Sequence, residues 1–177
     1  MAKYIDEIKK AMDLLHEEGY YFIGQSTRWS GTGLYNTIQH IPEDKRVELP
    51  IMEDAQTGMS IGMALEGMKV CSIYPRLDFL ILALNQIVNH LDKIEKMSDG
   101  QFKPKVIIRS AIGSMRPLFP GFQHNQDHSE AIRMMCTNID VVVLKKASEI
   151  IPTYKEALES ERSSLIIEIP DLYEVEE

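Results

Sequence analysis

The sequence predicts one α/β domain, with helices covering both faces of a mainly parallel sheet in a three-layer α/β/α arrangement. Short apolar runs such as Val70–Tyr74 alternate with longer segments in which apolar residues recur at helical spacing. Apolar strands of this kind are buried on both faces, and their alternation with helices is typical of parallel sheets. Because a domain usually holds about 100–200 residues, we predict that residues 1–177 form a single domain.

The first half of the chain contains helices and strands that are marked by apolar spacing and by the residues that end them. Apolar residues recur at helical spacing from Tyr4 to Leu15, and Gly19 then ends the helix. The aromatic and β-branched run from Tyr20 to Ile23 favours a strand, and the Ser-, Thr- and Gly-rich segment 25–33 is a predicted loop. The other predicted elements of this half are a short helix over 34–38, a strand over 46–49, a helix over 54–66 and a strand over 70–74.

The second half continues the alternation and contains one long irregular segment. Residues 111–127 carry two Pro and two Gly and separate a predicted strand from a predicted helix. Loops of this length in a compact domain are more often functional than not. The predicted elements are a long helix over 78–97, a strand over 106–108, a helix from Ser129, a strand over 141–144, a helix over 147–160 and a strand over 165–167.

Composition excludes several classes of function. The net charge of −8 argues against a nucleic-acid groove, which needs a basic surface. The two cysteines, Cys71 and Cys136, have no metal-ligand spacing, so we predict reduced structural cysteines and no metal site. The N-terminal segment lacks the apolar core of a signal peptide, and no apolar run is long enough to span a membrane. We therefore expect a cytoplasmic protein with no membrane partner.

The carboxyl ends of the predicted strands are the expected place for a ligand, because open α/β sheets bind ligands there. Loops begin at this edge at Gly24, Pro50, Pro75 and Ala111. The sequence lacks GxGxxG, GxxxxGK[ST], GxSxG and HExxH, so nucleotide-binding, hydrolase and zincin motifs give no support. The candidate site must therefore be identified from the side chains in these four loops.

Three of the loops carry side chains that could act in chemistry. Glu53 lies at the start of the helix after Pro50, where it either caps the helix or contributes a carboxylate to a site. Phe79 follows Pro75 and belongs either to the core or to the site. His124 and His128 lie in a polar loop, as site residues or as exposed histidines. In the helix after Glu53, glycines four residues apart suggest a close approach to another helix or a ligand.

Five segments, taken in order, resemble the pyrimidine-binding domain of thiamine-diphosphate enzymes. The resemblance is strongest to the beta subunit of the 2-oxoacid dehydrogenase first component, of the pyruvate and branched-chain types, and weaker to transketolase. It covers nearly the whole chain. The segments are YFIGQ (21–25), DKRVELPIME (44–53), the glycines Gly58, Gly62 and Gly67, FLILALNQ (79–86) and QHNQ (123–126).

The resemblance implies a cofactor, thiamine diphosphate, and a role for each matching residue. Glu53 is similar to the glutamate that hydrogen-bonds the aminopyrimidine ring and promotes loss of the thiazolium proton. Phe79 matches the aromatic residue that stacks on that ring, while Ile51 and Gln25 are implied in cofactor binding. His124 resembles the histidine that handles protons on the substrate-derived intermediate. His128 is the alternative for that role.

The chain departs from the family in two ways that shape the prediction. Gln25 stands where the family has glutamate, and an amide is neither an acid nor a base at neutral pH. The family's Gly-Asp-Gly…Asn-Asn motif for diphosphate and Mg²⁺ is missing, as is the C-terminal transketolase-type domain. The resemblance thus implies a partner chain that holds diphosphate and Mg²⁺. It implies a hetero-oligomer, or a homodimer when the chain is isolated.

The leading hypothesis is one subunit of a split thiamine-diphosphate enzyme acting on a 2-oxoacid or ketose donor and inactive alone. One alternative is the alpha subunit of a two-gene 2-oxoacid decarboxylase of the sulfopyruvate type. An alternative of another class is a non-catalytic α/β scaffold domain, which Gln25 and the missing C-terminal domain favour.

Overall fold

A parallel six-stranded sheet forms the middle layer of the computed structural model, which describes residues 2–116 and 119–176. The strands are β1 (Tyr21–Gly24), β2 (Arg46–Glu48), β3 (Val70–Tyr74), β4 (Val106–Ala111), β5 (Ile139–Val143) and β6 (Ser163–Glu168). All five strand pairings are parallel, and the order across the sheet is β2-β1-β3-β4-β6-β5. The predicted α/β fold with a mainly parallel sheet is therefore confirmed.

Helices cover both faces of the sheet and enclose two separate apolar cores. One core joins the sheet to α1 (Tyr4–Glu17) and α7 (Ala147–Glu159), which pack against each other. The other core joins the sheet to α3 (Glu53–Leu65) and the segment that follows β3. Residues 117 and 118 of the predicted loop over 111–127 lie outside the described residues. The helices are α1 (Tyr4–Glu17), α2 (Gly33–Asn36), α3 (Glu53–Leu65), α4 (Leu77–Leu80), α5 (Ile94–Met97), α6 (Ser129–Met135) and α7 (Ala147–Glu159).

The segment 78–97, predicted as one long helix, is instead helical with three different hydrogen-bond patterns. Between α4 and α5 lie a 3₁₀ turn, Ile81–Ala83, and a π-helical stretch, Asn85–Leu91. The π turns are followed by Asp92, whose buried carboxylate accepts hydrogen bonds from the backbone N–H groups of Thr137 and Asn138 (2.8 and 2.6 Å). A buried carboxylate needs hydrogen-bond donors. This tertiary contact lies directly after the departure from a regular α-helix.

One ion pair lies inside the first core. Arg109 on β4 and Glu168 on β6 approach to 2.7 Å between Nη2 and Oε1, and each side chain is 1% exposed. The same Arg109 nitrogen donates to Thr37 Oγ1 at 2.7 Å. The pair therefore joins two central strands to the segment that follows α2, just below the carboxyl ends of the strands.

Because all six strands are parallel, their carboxyl ends meet at one edge of the sheet. The loops after β1, β2, β3 and β4 leave from this edge, as predicted. Among residues 2–116 and 119–176, no helix has the length and apolar character to cross a membrane. The same residues contain no His, Cys, Asp and Glu cluster that could hold a metal ion.

Candidate active site

Glu53 is buried at the first position of α3 and is held by Gln25, the residue that follows β1. Glu53 is 4% exposed and Gln25 is 7% exposed. The Gln25 amide Nε2 donates to Glu53 Oε1 at 2.9 Å, whereas no described residue donates a hydrogen bond to Oε2. The N-cap of α3 is Met52, which makes no side-chain cap, and the Glu53 carboxylate contacts Gln25 at the carboxyl edge of the sheet. Sequence reasoning named both residues but did not predict their contact.

A buried polar network fixes the helix that carries Glu53. Gln56 Nε2 donates to Ser72 Oγ (3.0 Å) and to the carbonyl oxygen of Ile73 (2.9 Å), both on β3. Thr57 Oγ1 lies 2.5 Å from the Tyr74 hydroxyl, and burial raises the pKa of Tyr74 to about 12. Both hydroxyls are therefore neutral at physiological pH and act as hydrogen-bonding groups. The network sets the position of α3 on β3.

Close approach of backbone at Gly24 contributes to the same arrangement. A Cβ atom at this position would lie 2.2 Å from the Ile73 carbonyl oxygen and 2.6 Å from Gln56 Nε2. The φ angle of Gly24 is +139°, which L side chains rarely adopt. Glycine at the end of β1 therefore lets Gln25 turn toward Glu53.

Phe79 and His124 lie side by side at the neighbouring strand end. Phe79 is in α4, directly after β3, and His124 ends a 3₁₀ turn, Phe122–His124, in the loop after β4. Their ring centroids are 5.5 Å apart at an interplanar angle of 86°, an edge-to-face contact. Both side chains are half-buried, so the structure brings together two residues that the sequence predicted separately.

The loop that carries His124 is attached to the corner between β3 and α4. Arg76 Nη1 donates to the His124 carbonyl oxygen at 2.9 Å. Asp78 Oδ1 accepts from the Gln126 backbone N–H (3.4 Å) and from Gln126 Nε2 (3.1 Å). A Cβ on Gly113 would lie 1.7 Å from the His124 carbonyl oxygen, so the loop rests directly on the backbone after β4.

His128 and Ile51 lie in different surroundings from the other predicted site residues. His128 is half-buried, and its Nε2 lies 3.6 Å from Asp78 Oδ1, beyond hydrogen-bond distance. Ile51 is 79% exposed in the loop between β2 and α3. His124 therefore contacts the predicted aromatic residue, whereas His128 faces the carboxylate that holds the loop.

A cavity of about 440 Å³ opens at the same edge of the sheet. The loop after β1 forms one of its walls, and this loop is fixed because the Glu48 carboxylate accepts from the backbone N–H groups of Ser26, Thr27 and Arg28. Arg76 is the charged side chain among the residues that line the cavity. The arrangement thus offers a buried carboxylate, an aromatic ring, a histidine and a cavity of mixed polar and apolar lining along one edge.

No role was predicted from the sequence for Arg76, Asp78, Gln126 or Gly113, although Gln126 belongs to the QHNQ segment (123–126). The segment from Tyr74 to Phe79 is an identifiable strand end, yet only its aromatic residue resembled a known motif. Arg76 and Asp78 make hydrogen bonds to loop residues that lie 48 positions further along the chain. The two opposite charges directly after the end of β3 are the signal that could have indicated Arg76 and Asp78.

Replacing Gly113 with alanine is expected to displace the His124 loop and to lower the free energy of unfolding by about 1–3 kcal/mol, the usual cost of overpacking. The added Cβ would meet the backbone atoms of His124 and Asn125, which cannot move without moving the loop. Urea unfolding and hydrogen exchange of the amides over 121–126 measure the effect. Gly62→Ala is the matched control because nothing lies within 4 Å of a Cβ there. Unchanged loop exchange in Gly113→Ala would contradict this close packing.

Comparison with known proteins finds beta subunits of dehydrogenases among the relatives of this chain. The chain is 31% identical over 149 residues to pyruvate dehydrogenase E1 component subunit beta-4, chloroplastic, of Oryza sativa subsp. japonica, an alignment that covers 82% of this chain and 36% of that protein. It is 34% identical over 135 residues to the beta-3 subunit of Arabidopsis thaliana (76% and 32% covered). It is 25% identical over 146 residues to the 2-oxoisovalerate dehydrogenase subunit beta of Bacillus subtilis (strain 168), with 78% and 42% covered. The chain spans roughly a third of the length of the first two relatives.

No family model matches the chain. Among solved structures, a split gene transketolase, described as an inactive beta4 tetramer, superimposes with a TM-score of 0.70 and 18% sequence identity. The superposition covers 94% of this chain and 51% of that one. At this level of identity the likeness shows the fold, which is the α/β fold of the transketolase-type pyrimidine domain.

Proposed function

Since this chain is a homologue of the beta subunits of pyruvate and 2-oxoisovalerate dehydrogenases, we propose that it is the pyrimidine-binding subunit of a split thiamine-diphosphate-dependent enzyme. The reaction would use a 2-oxoacid or ketose donor. The observation that carries the proposal is the buried Glu53 carboxylate, which Gln25 holds by one oxygen at the carboxyl edge of the sheet.

The residues at this edge fit an aminopyrimidine ring. Glu53 Oε2 has no hydrogen-bond donor among the described residues, so it is available to accept from a ligand. Half-buried Phe79 offers an aromatic surface after the carboxyl end of β3, the strand next to β1. A carboxylate acceptor and an aromatic surface at the same edge of a sheet are suited to a flat heterocycle that carries N–H donors. Thiamine diphosphate, when bound, supplies the carbanion and the electron sink for the reaction.

The proposed roles of the chain's own residues follow from their positions. Glu53 accepts a hydrogen bond from the ring and holds the proton that the ring exchanges, while Gln25 orients the carboxylate. Phe79 packs against the ring. His124, whose imidazole contacts Phe79, donates or accepts a proton on the substrate; His128, near Asp78, is the second candidate for that role.

An exposed apolar face beside the site supports a partner chain. Ile51, Met52, Met59 and Leu82 are between 49% and 79% exposed on α3 and the segments next to it. Gly62 on the same helix has nothing within 4 Å of its Cβ position, so another backbone can approach closely. Large apolar side chains that are exposed on neighbouring elements are typical of an interface. In the proposed enzyme it contacts the partner that binds diphosphate and Mg²⁺, or a second copy of this chain when no partner is present.

Binding of thiamine diphosphate tests the proposal directly. We expect the chain, co-purified with a subunit that carries the Gly-Asp-Gly…Asn-Asn motif, to bind thiamine diphosphate with Mg²⁺ in a calorimetric titration. The chain alone is expected to bind at least about 100-fold more weakly, because half of the contacts are missing. If the pair forms and fails to bind the cofactor, the chain is a non-catalytic scaffold domain and the proposal is wrong.

A further inference from the structure

The attachment of the His124 loop suggests a residue that sets the geometry of the site. Arg76 makes hydrogen bonds to the backbone of both members of the Phe79–His124 ring pair. Its carbonyl oxygen accepts from the Phe79 backbone N–H at 3.1 Å, which begins the turn that carries Phe79. Its guanidinium Nη1 donates to the His124 carbonyl oxygen at 2.9 Å. One residue therefore links the backbones of both rings.

Apolar packing contributes little to holding this loop. The 3₁₀ turn that ends at His124 contains no buried residue, and Phe122 within it is 83% exposed. Other attachments of the described loop residues are the Asp78–Gln126 hydrogen bonds, the hydrogen bond from Asn125 Nδ2 to Met115 Sδ (2.9 Å) and the contact with the Gly113 backbone. The His124 carbonyl oxygen thus lies between the Arg76 guanidinium and Gly113, so its position depends on that charged hydrogen bond.

We propose that Arg76 is a positioning residue that fixes the His124 imidazole against the Phe79 ring. The inference rests on the proposed function for the importance of His124 in turnover, while the positional effect is a property of this chain alone. Arg76 also lines the 440 Å³ cavity, so direct contact with substrate is the competing role. The two roles differ in what they predict, because positioning alters kcat and substrate contact alters KM.

Magnetic resonance of the histidine rings tests the positional effect without cofactor or partner. The chain has five histidines, so the ring carbon–proton signals are few, and a His124→Gln variant assigns one of them. In the full chain, Arg76→Met is expected to move the His124 signal toward that of a free histidine, because the ring leaves the edge of Phe79. Arg76→Lys is expected to restore part of the shift. An unmoved His124 signal in Arg76→Met overturns the proposal.

Arg133→Met is the matched control, since Arg133 also donates from its side chain to a carbonyl oxygen, that of Val141, on β5. This variant is expected to leave the His124 signal unchanged; an equal movement would show a general loss of structure and overturn the assignment. With the partner bound, Arg76→Met is expected to lower kcat by about 10- to 100-fold at constant KM. A rise in KM alone would make Arg76 a substrate-binding residue instead. If His124→Ala keeps full turnover, the proposed role of His124 fails, while the ring signals still decide the role of Arg76.

Discussion

Glu53→Gln is expected to lower the turnover of the assembled enzyme by about 10²- to 10⁴-fold, the usual contribution of a positioned acid or base. The variant keeps the length of the side chain and an oxygen that accepts from Gln25 Nε2, so the buried contact at 2.9 Å survives. It loses the negative charge and the ability to hold a proton. Steady-state kinetics of the chain with its partner, at saturating thiamine diphosphate, measure the change.

Glu66→Gln is the matched control for this experiment. Glu66 is exposed at the C-terminal end of the same helix. The substitution Glu66→Gln therefore makes the same chemical change far from the carboxyl ends of the strands. We expect it to keep full turnover, and we expect both variants to unfold in urea at the same concentration as the native chain. Unchanged turnover in Glu53→Gln would remove the acid–base role from Glu53.

The position of Glu53 could be predicted because it follows from the topology of the sheet. The apolar runs identified all six strands, and parallel strands place their carboxyl ends at one edge, so the loops at Gly24, Pro50 and Pro75 had to converge. The Gln25–Glu53 hydrogen bond could not be predicted in the same way. It depends on the turn at Gly24 and on the placement of α3 by Gln56, and both are tertiary features.

The irregular helical segment after β3 illustrates a different limit. Leu80, Ala83, Ile87 and Leu91 are all buried, and their spacing is what a regular amphipathic helix would show. From Asn85 to Leu91 the backbone hydrogen bonds follow the π-helical pattern, and Ile87 and Leu91 within this stretch are buried. Directly after this stretch, the buried Asp92 carboxylate accepts hydrogen bonds from two backbone N–H groups after α6. These donors lie 45 and 46 positions further along the chain. Apolar spacing contains no information about such a contact.

Glu168→Gln is expected to lower the free energy of unfolding by about 3–5 kcal/mol, because it leaves the Arg109 guanidinium charged and buried without its counter-ion. Arg109 and Glu168 are each 1% exposed, so water cannot replace the missing charge. A natural domain is stable by only about 5–15 kcal/mol, so the loss is a large part of the total. Urea unfolding measures it, with a slope of about 1–3 kcal/mol per molar.

Arg162→Met provides the control for an ion pair in solvent. Arg162 approaches Asp140 to 3.1 Å, yet these side chains are 43% and 38% exposed. We expect its removal to cost about 1 kcal/mol or less. The double variant Arg109→Met with Glu168→Leu is expected to be more stable than Glu168→Gln, because replacing both charges leaves none buried. Equal losses in Glu168→Gln and Arg162→Met would mean that the buried pair contributes no more than a surface pair.

Arg109→Met is expected to cost less than Glu168→Gln, and its cost should depend on pH. Burial raises the pKa of Glu168, and the Arg109 charge acts against that shift, so removing the arginine lets the carboxyl take up a proton. The guanidinium left behind in Glu168→Gln cannot lose its charge in this way, because arginine is not deprotonated in proteins. A carboxyl with a raised pKa in the folded state stabilises the fold at low pH, and that contribution is lost as the pH rises through the folded-state value. The stability gap between Arg109→Met and the native chain should therefore widen as the pH rises through the folded-state pKa of Glu168 in the variant, which is raised further without the arginine. A gap for Arg109→Met that does not change with pH would mean that Glu168 stays ionised without its arginine.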